Sequence, residues 1–203
     1  MREKAVSLAE KKFILQALAR KQRLDHRGLL DQRQVLIQLS NKISGTCIVS
    51  LGQTKVLCQT NYKVEEPRET RPSEGKLRIN LESSTSPVYD NEKVDSSGQE
   101  YSAIQSLLEQ AFVKSSSLDH ESLCIRVGNS IFVIECSLSV IEDDGALADC
   151  CSLAIAAALR SFKLPCTQVS GDQVILDKSK TRNLSVHHTP CKGFKNKYTS
   201  LIR

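Results

Sequence analysis

The sequence contains no tryptophan, and aromatic residues make up only 4% of it. That leaves too few rings for a platform on which successive bases of a single strand could stack. It also lacks any C-x-x-C pair. The eight cysteines, at 47, 58, 124, 136, 150, 151, 166 and 191, are spaced widely and irregularly. Structural zinc sites bring thiolates in closely spaced pairs, and disulfide frameworks belong to oxidising compartments. These cysteines therefore read as small buried hydrophobes. Neither G-x-x-x-x-G-K-[ST] nor G-x-G-x-x-G occurs, so nucleotide-cradling loops have no candidate. No apolar run approaches the ~18 residues needed to cross a bilayer. The opening MREKAVSLAEKK is charged and lacks the apolar stretch of a secretory signal, so a cytosolic or nuclear protein is expected.

What is present is ordinary for a globular chain. Its 203 residues are 40% hydrophobic and 25% charged, enough for one domain with a core or two small ones. The net charge is +5 and uneven. Residues 1–33 hold nine Lys/Arg against four Asp/Glu, and residues 192–203 hold four Lys/Arg and no acid. Such ends permit contact with RNA, although a solvated basic end has the same composition.

Periodicity predicts a helix over 7–20, capped by Ser7, with Phe13, Ala17 and Leu18 on one face. A polar turn, RLDHRG, follows. Strands are predicted at 34–40 and 46–62, the latter folded at Gly52. EEPRETRPSEG (65–75) reads as a loop, and KLRINLE (76–82) as a half-buried strand. The Ser/Pro/Gly-rich stretch 83–99 reads as a mobile loop. A helix over 100–114 should turn Ile104, Leu107, Leu108, Ala111 and Phe112 inward. Two strands joined at Gly128–Asn129, a helix over 146–162 whose small residues suit close packing, and short strands at 167–169, 174–177 and 184–191 complete the chain. The class is α/β or α+β, a mixed sheet backed by helices.

Four groups of polar residues invite a chemical reading. In IEDDGALADCC (141–151), Asp143 and Asp144 precede a helix, where acids are favourable beside its free N–H groups. No second acidic or histidine cluster completes a metal site, so capping is expected. His187, His188 and Cys191 form H-H-x-x-C, but neighbouring strand residues point to opposite faces and cannot easily share one metal. Arg23, Asp25, Arg27, Asp31 and Arg33 read as a salt-bridged corner, with RNA contact as the alternative. Arg68 and Arg71 sit on a loop with no regular partner, where a guanidinium can reach a phosphate; Glu65, Glu66, Glu69 and Glu74 weigh against this.

Several stretches together resemble one family. RLDHRGLLDQR resembles the R-x-D-G-R…D-x-R opening of RNase PH-type proteins, with His26 where glycine is usual. GTCIVSLGQTKVLCQT resembles their G-x-x-x-V-x-x-G-x-T-x-V hairpin. RPSEGKLRINLE, LDHESLCIRVG, IEDDGALADCCSLAIAAALRSF and LSVHHTP are similar to the corresponding segments of the ring subunits of eukaryotic RNA exosomes. The likeness runs from about Leu8 to Cys191. It implies an RNase PH fold over 1–191, followed by a divergent basic tail, 192–203.

It also implies membership of a hexameric ring around an RNA channel. Partners would be RNA and the other ring subunits, first the component four type (ribosomal RNA-processing protein 41), with no membrane partner. Nucleus, nucleolus and cytoplasm would be the locations. By position in the family, Arg68 and Arg71 would face the channel, with Lys76 and Arg78 as further RNA contacts.

Active members carry D-G-G-T-R-T ahead of the helix at 146–162, and two arginines in E-I-Q-R-L-I-x-R. Here Leu147 and Ala148 stand for the Thr and Arg, and Ser106 and Gln110 for the two arginines. The resemblance thus implies an inert subunit with no catalytic residue, cofactor or metal. Members also continue past H-H-x-P with a strand, an acidic segment and a helix, so a shortened product with exposed apolar surface is expected. The alternatives are a stand-alone phosphate-dependent 3′-to-5′ exoribonuclease and a fragment that does not assemble.

Overall fold

The structure, a computed structural model, describes residues 7–23, 25, 27, 28, 31–83, 94–170 and 173–190. The chain forms two compact units, Met1–Gln34 and Val35–Arg203.

In the first unit α1 spans Leu8–Ala19, and the Ser7 hydroxyl caps it by accepting the Glu10 amide at 3.2 Å. The helix buries none of its residues, and Phe13, expected on a core face, is 63% exposed. A unit of 34 residues has too little chain to enclose a core of its own. The corner that follows is tied as expected. Arg27 pairs with Asp25 and donates to the Asp31 carbonyl at 2.9 Å. The Asp31 carboxylate accepts the Gly28 amide at 2.9 Å. The Arg27 guanidinium holds the Asp25 carboxyl below its ordinary range.

The second unit is built on a sheet in which β1 (Val35–Leu39), β2 (Thr46–Leu51), β3 (Thr54–Glu65) and β6 (Ser130–Glu142) run antiparallel in that order. β4 (Lys76–Ser83) adds parallel to β6, and the short β5 (Cys124–Arg126) pairs with β6. Gly52, at φ 65°, makes the turn between β2 and β3. Alternation decides the faces: Cys47, Val49, Leu51, Val56 and Cys58 point into the core. On that core lies α3 (Leu147–Ser161), with eleven of its fifteen residues buried. Ala154, Ala157 and Ala158 let it approach closely. The Cys47 thiol donates to the Ala154 carbonyl at 3.3 Å, and the Cys150 thiol to the Val49 carbonyl at 3.4 Å. β7 (Lys163–Ser170) and β8 (Gln173–Asn183) form a separate hairpin. Five of the seven described cysteines are buried, and all seven are free thiols.

Four expectations need correction. The helix predicted at 100–114 begins earlier: α2 spans Val94–Glu109, because nothing after Pro87 forbids a helix there. Residues 84–93, the rest of the predicted loop, lie outside the described residues. α2 then passes into a π-helical turn, Gln110–Lys114, whose extra residue per turn rotates the chain. Leu108 and Phe112 are buried, whereas Leu107 is 39% exposed. The strand predicted at 184–191 is an extended run with one bridge, Val186 to Leu118; Cys191 lies outside the described residues. The fourth concerns capping. The capping position of α3 is Ala146, at φ 57°, which has no side-chain acceptor to offer. The Asp143 carboxylate instead accepts the Gly145 amide at 2.9 Å. The Thr54 hydroxyl pins the same loop, accepting from the Asp144 amide and donating to the Gly145 carbonyl. The acid beside the positive helix end is Asp149, in the first turn.

Candidate nucleic-acid interface

Between the 66–75 loop and the 113–121 segment lies an open groove of about 1000 Å3. Arg68, Arg71, Lys76, Arg78 and Lys114 all line it, against three carboxylates, Glu74, Asp119 and Glu121. The excess of cations favours an anionic ligand.

The loop is a tight one. Arg68 and Arg71 form a backbone bridge, and the Arg71 amide donates to the Arg68 carbonyl at 3.0 Å. Gly75 ends it against the opposite wall. Its amide donates to the His120 carbonyl at 2.8 Å, and the His120 ring, through Nδ1, lies 3.1 Å from the Gly75 carbonyl. A carbonyl only accepts, so Nδ1 carries the hydrogen. A Cβ at position 75 would stand 2.3 Å from the Leu123 Cβ and 2.8 Å from the Phe132 carbonyl oxygen, so glycine is required by close approach.

The four cations singled out in the sequence do not stand alike. Arg68 and Lys76 have no ion-pair partner among the described residues, which leaves their charge for a ligand. Arg71 pairs with Glu74 at 2.9 Å at the surface. Arg78 is committed. It makes a two-pronged bond to Glu65 at 2.7 and 2.9 Å and reaches Glu135 at 3.2 Å, while Lys63 pairs with Glu135 at 2.8 Å. Parallel pairing sets Arg78 beside Glu135, a partner 57 residues away.

Three groove residues lay outside the sequence prediction. Lys114 comes from the π-helical turn, which periodicity assigned to an ordinary helix. His120 comes from the 3-10 turn region ahead of β5. His187 lines the groove, where its amide donates to the Ser117 carbonyl at 2.9 Å; Cys191 of the H-H-x-x-C run lies outside the described residues. The neighbouring His188 lies 3.1 Å from the Ser115 hydroxyl.

A second pocket, of about 460 Å3, joins Gln110, Ala148 and Asp149 with Leu107, Leu108, Ala111, Ser152 and Pro190. Gln110 and Ala148, which the resemblance set at positions of arginine in active members, both line it, and none of its described lining residues is a cation.

Residues 31–165 match the family described as RNase PH, 3′ exoribonuclease family, domain 1. The chain is 34% identical over 200 residues to the Homo sapiens protein named Exosome complex component RRP45, covering 96% of this chain and 45% of that protein. It is 31% identical over 188 residues to the Saccharomyces cerevisiae protein of the same name, covering 91% of this chain and 61% of that one. The chain therefore spans about half the length of the curated relatives it matches. Among solved structures, one titled archaeal exosome core superposes with a TM-score of 0.64 at 19% identity, over 95% of this chain and 90% of that one. An Archaeoglobus fulgidus exosome with RNA bound to the active site superposes with a TM-score of 0.66 at 20% identity, over 95% and 91%. These likenesses show that the two share a fold.

Proposed function

This chain belongs to the RNase PH 3′ exoribonuclease family, and from that premise we propose that it is a non-catalytic ring subunit of an RNA exosome, of the component nine (RRP45) type. The L-x-x-E-S-L-C and H-H-x-P pieces favour this type over the component seven and eight types, its close runners-up. Its place is beside a component four-type (RRP41) subunit, in nucleus, nucleolus and cytoplasm. Its work is to hold the ring together and pass RNA 3′ ends along a channel that the groove of Arg68, Arg71 and Lys76 helps to line.

One observation carries the inert reading: among the described residues, the pocket that joins Gln110 and Ala148 has no cation. Phosphorolysis brings a phosphate dianion to the terminal phosphodiester. Positive groups aimed at the developing charge supply much of the rate, on the order of 3–4 kcal/mol for each well-placed donor. Here Asp149 adds like charge instead. No observation favours a stand-alone exoribonuclease.

The test is RNA binding and degradation by the chain itself. With excess inorganic phosphate, a 3′-tailed RNA should remain intact. Nucleoside diphosphate release dependent on phosphate would overturn the inert reading. In a salt titration, the double variant Arg68→Ala/Arg71→Ala should bind RNA more weakly, with a slope of log affinity against log salt reduced by about one to two. An unchanged slope would remove these arginines from the interface.

A further inference from the structure

We propose that His120 makes this groove selective for RNA over DNA, its Nε2 accepting a hydrogen bond from a ribose 2′-hydroxyl; the proposal rests on the RNA reading of the same groove. The argument begins with the ring's other nitrogen. His120 Nδ1 is spent on the Gly75 carbonyl, 3.1 Å away, and the reciprocal backbone bond from Gly75 fixes the residue from both sides. With the hydrogen on Nδ1, Nε2 is an acceptor, and no described group bonds to it. His120 lines a groove to which both walls contribute cations. Arg68 and Lys76 stand on the loop wall, and Lys114 stands on the helical wall. Among the described residues Lys114 has no ion-pair partner.

Two of the groove's three acids are already engaged. Glu74 is engaged by Arg71, and the Asp119 carboxylate accepts the amides of Glu121 and Ser122. No Phe, Tyr or Trp is among the described residues lining the groove, so base stacking there is left to histidine and arginine planes. The groove then has the makings of a backbone reader: cations for phosphates and, in the His120 ring held by Gly75, an oriented acceptor for the sugar. The 2′-hydroxyl is the group that distinguishes RNA from DNA at a fixed site, and it donates to acceptors of this kind.

The substitution that isolates the idea is His120→Asn. The asparagine amide nitrogen takes the place of Nδ1 and can still donate to the Gly75 carbonyl, while Nε2 is removed. His120→Gln is the complement, placing a polar atom nearer Nε2 and giving up the Gly75 bond. The full chain is titrated with a fluorescent 12-nucleotide RNA and with the DNA of the same sequence, by anisotropy at fixed salt. Wild-type protein should prefer RNA by roughly 3- to 10-fold, the worth of one hydrogen bond. His120→Asn should reduce RNA affinity to near that for DNA and leave DNA binding unchanged, with an unaltered melting temperature. Equal wild-type binding of both strands, or an RNA preference that survives His120→Asn, would overturn the proposal while leaving the groove reading intact. Failure of either strand to bind at low salt would overturn the groove reading itself, and the proposal with it.

Discussion

At the scale of single residues, the structure separates cations that are available from cations that are occupied. Arg78 belongs to a surface network with Glu65, Glu135 and Lys63, and its work is to tie β4 to β3 and β6. Glu135 shows the consequence. The Lys63 ammonium first, and Arg78 after it, hold the Glu135 carboxyl below its ordinary range. A carboxylate with a lowered folded-state value contributes stability above its unfolded value, about pH 4.3, and loses that contribution as pH falls through the lowered one. Glu135→Gln should therefore start with a slightly lower melting temperature at pH 7, by about 2–4 °C for ~1 kcal/mol. It should also lose less than the wild type between pH 6 and pH 3. Parallel melting curves for the two proteins across that range would show that the network contributes nothing measurable. Arg78 was expected as a further RNA contact through the family resemblance, beside Arg68, Arg71 and Lys76. The sequence could not offer Glu135 as its partner, since the pairing of β4 with β6 is a fact of topology.

At the scale of elements, α3 was legible and the turn after α2 was not. The small-residue run SLAIAAALRSF announces a helix that must lie close to something, and α3 does lie on β2 and β3. Periodicity could not announce the π-helical turn at Gln110–Lys114, because one added residue changes which side chains face inward without changing the composition. That turn carries Lys114, which lines the groove. The same close approach explains the cysteines. Burial, and secondarily the charge of Asp143, pushes the Cys150 thiol up to about 12, and Cys151 is pushed higher still by burial. Thiols so placed supply almost no thiolate, the reactive form. Maleimide labelling of native protein, mapped by mass spectrometry, should therefore mark Cys124 and Cys166, which are half-exposed, before any of Cys47, Cys58, Cys136, Cys150 or Cys151. Denaturant should release all five. Native labelling of Cys150 at the rate of Cys166 would mean that α3 lifts off the sheet far more often than this packing allows.

At the scale of the whole molecule, the order of elements in the sequence led to the fold, because β-hairpin and helix signals fall in the order the family uses. The charge distribution adds a consequence that neither fold nor groove contains. Every fully buried core residue lies between Cys47 and Leu164, whereas residues 1–34 carry the entire +5 excess of the chain. A chain reduced to residues 35–203 keeps the core and the groove but is formally neutral. It should still melt cooperatively, because the buried apolar area that drives folding is intact. Its RNA affinity should fall at low salt, where the Debye length is about 30 Å at 0.01 M and positive charge acts without direct contact. The difference should vanish by about 1 M, where that length is near 3 Å and only direct contacts persist. A deficit that stays constant across the titration would place a direct RNA contact within residues 1–34, most simply on the arginine-rich corner. Loss of the cooperative transition would instead mean that this basic segment supports the core.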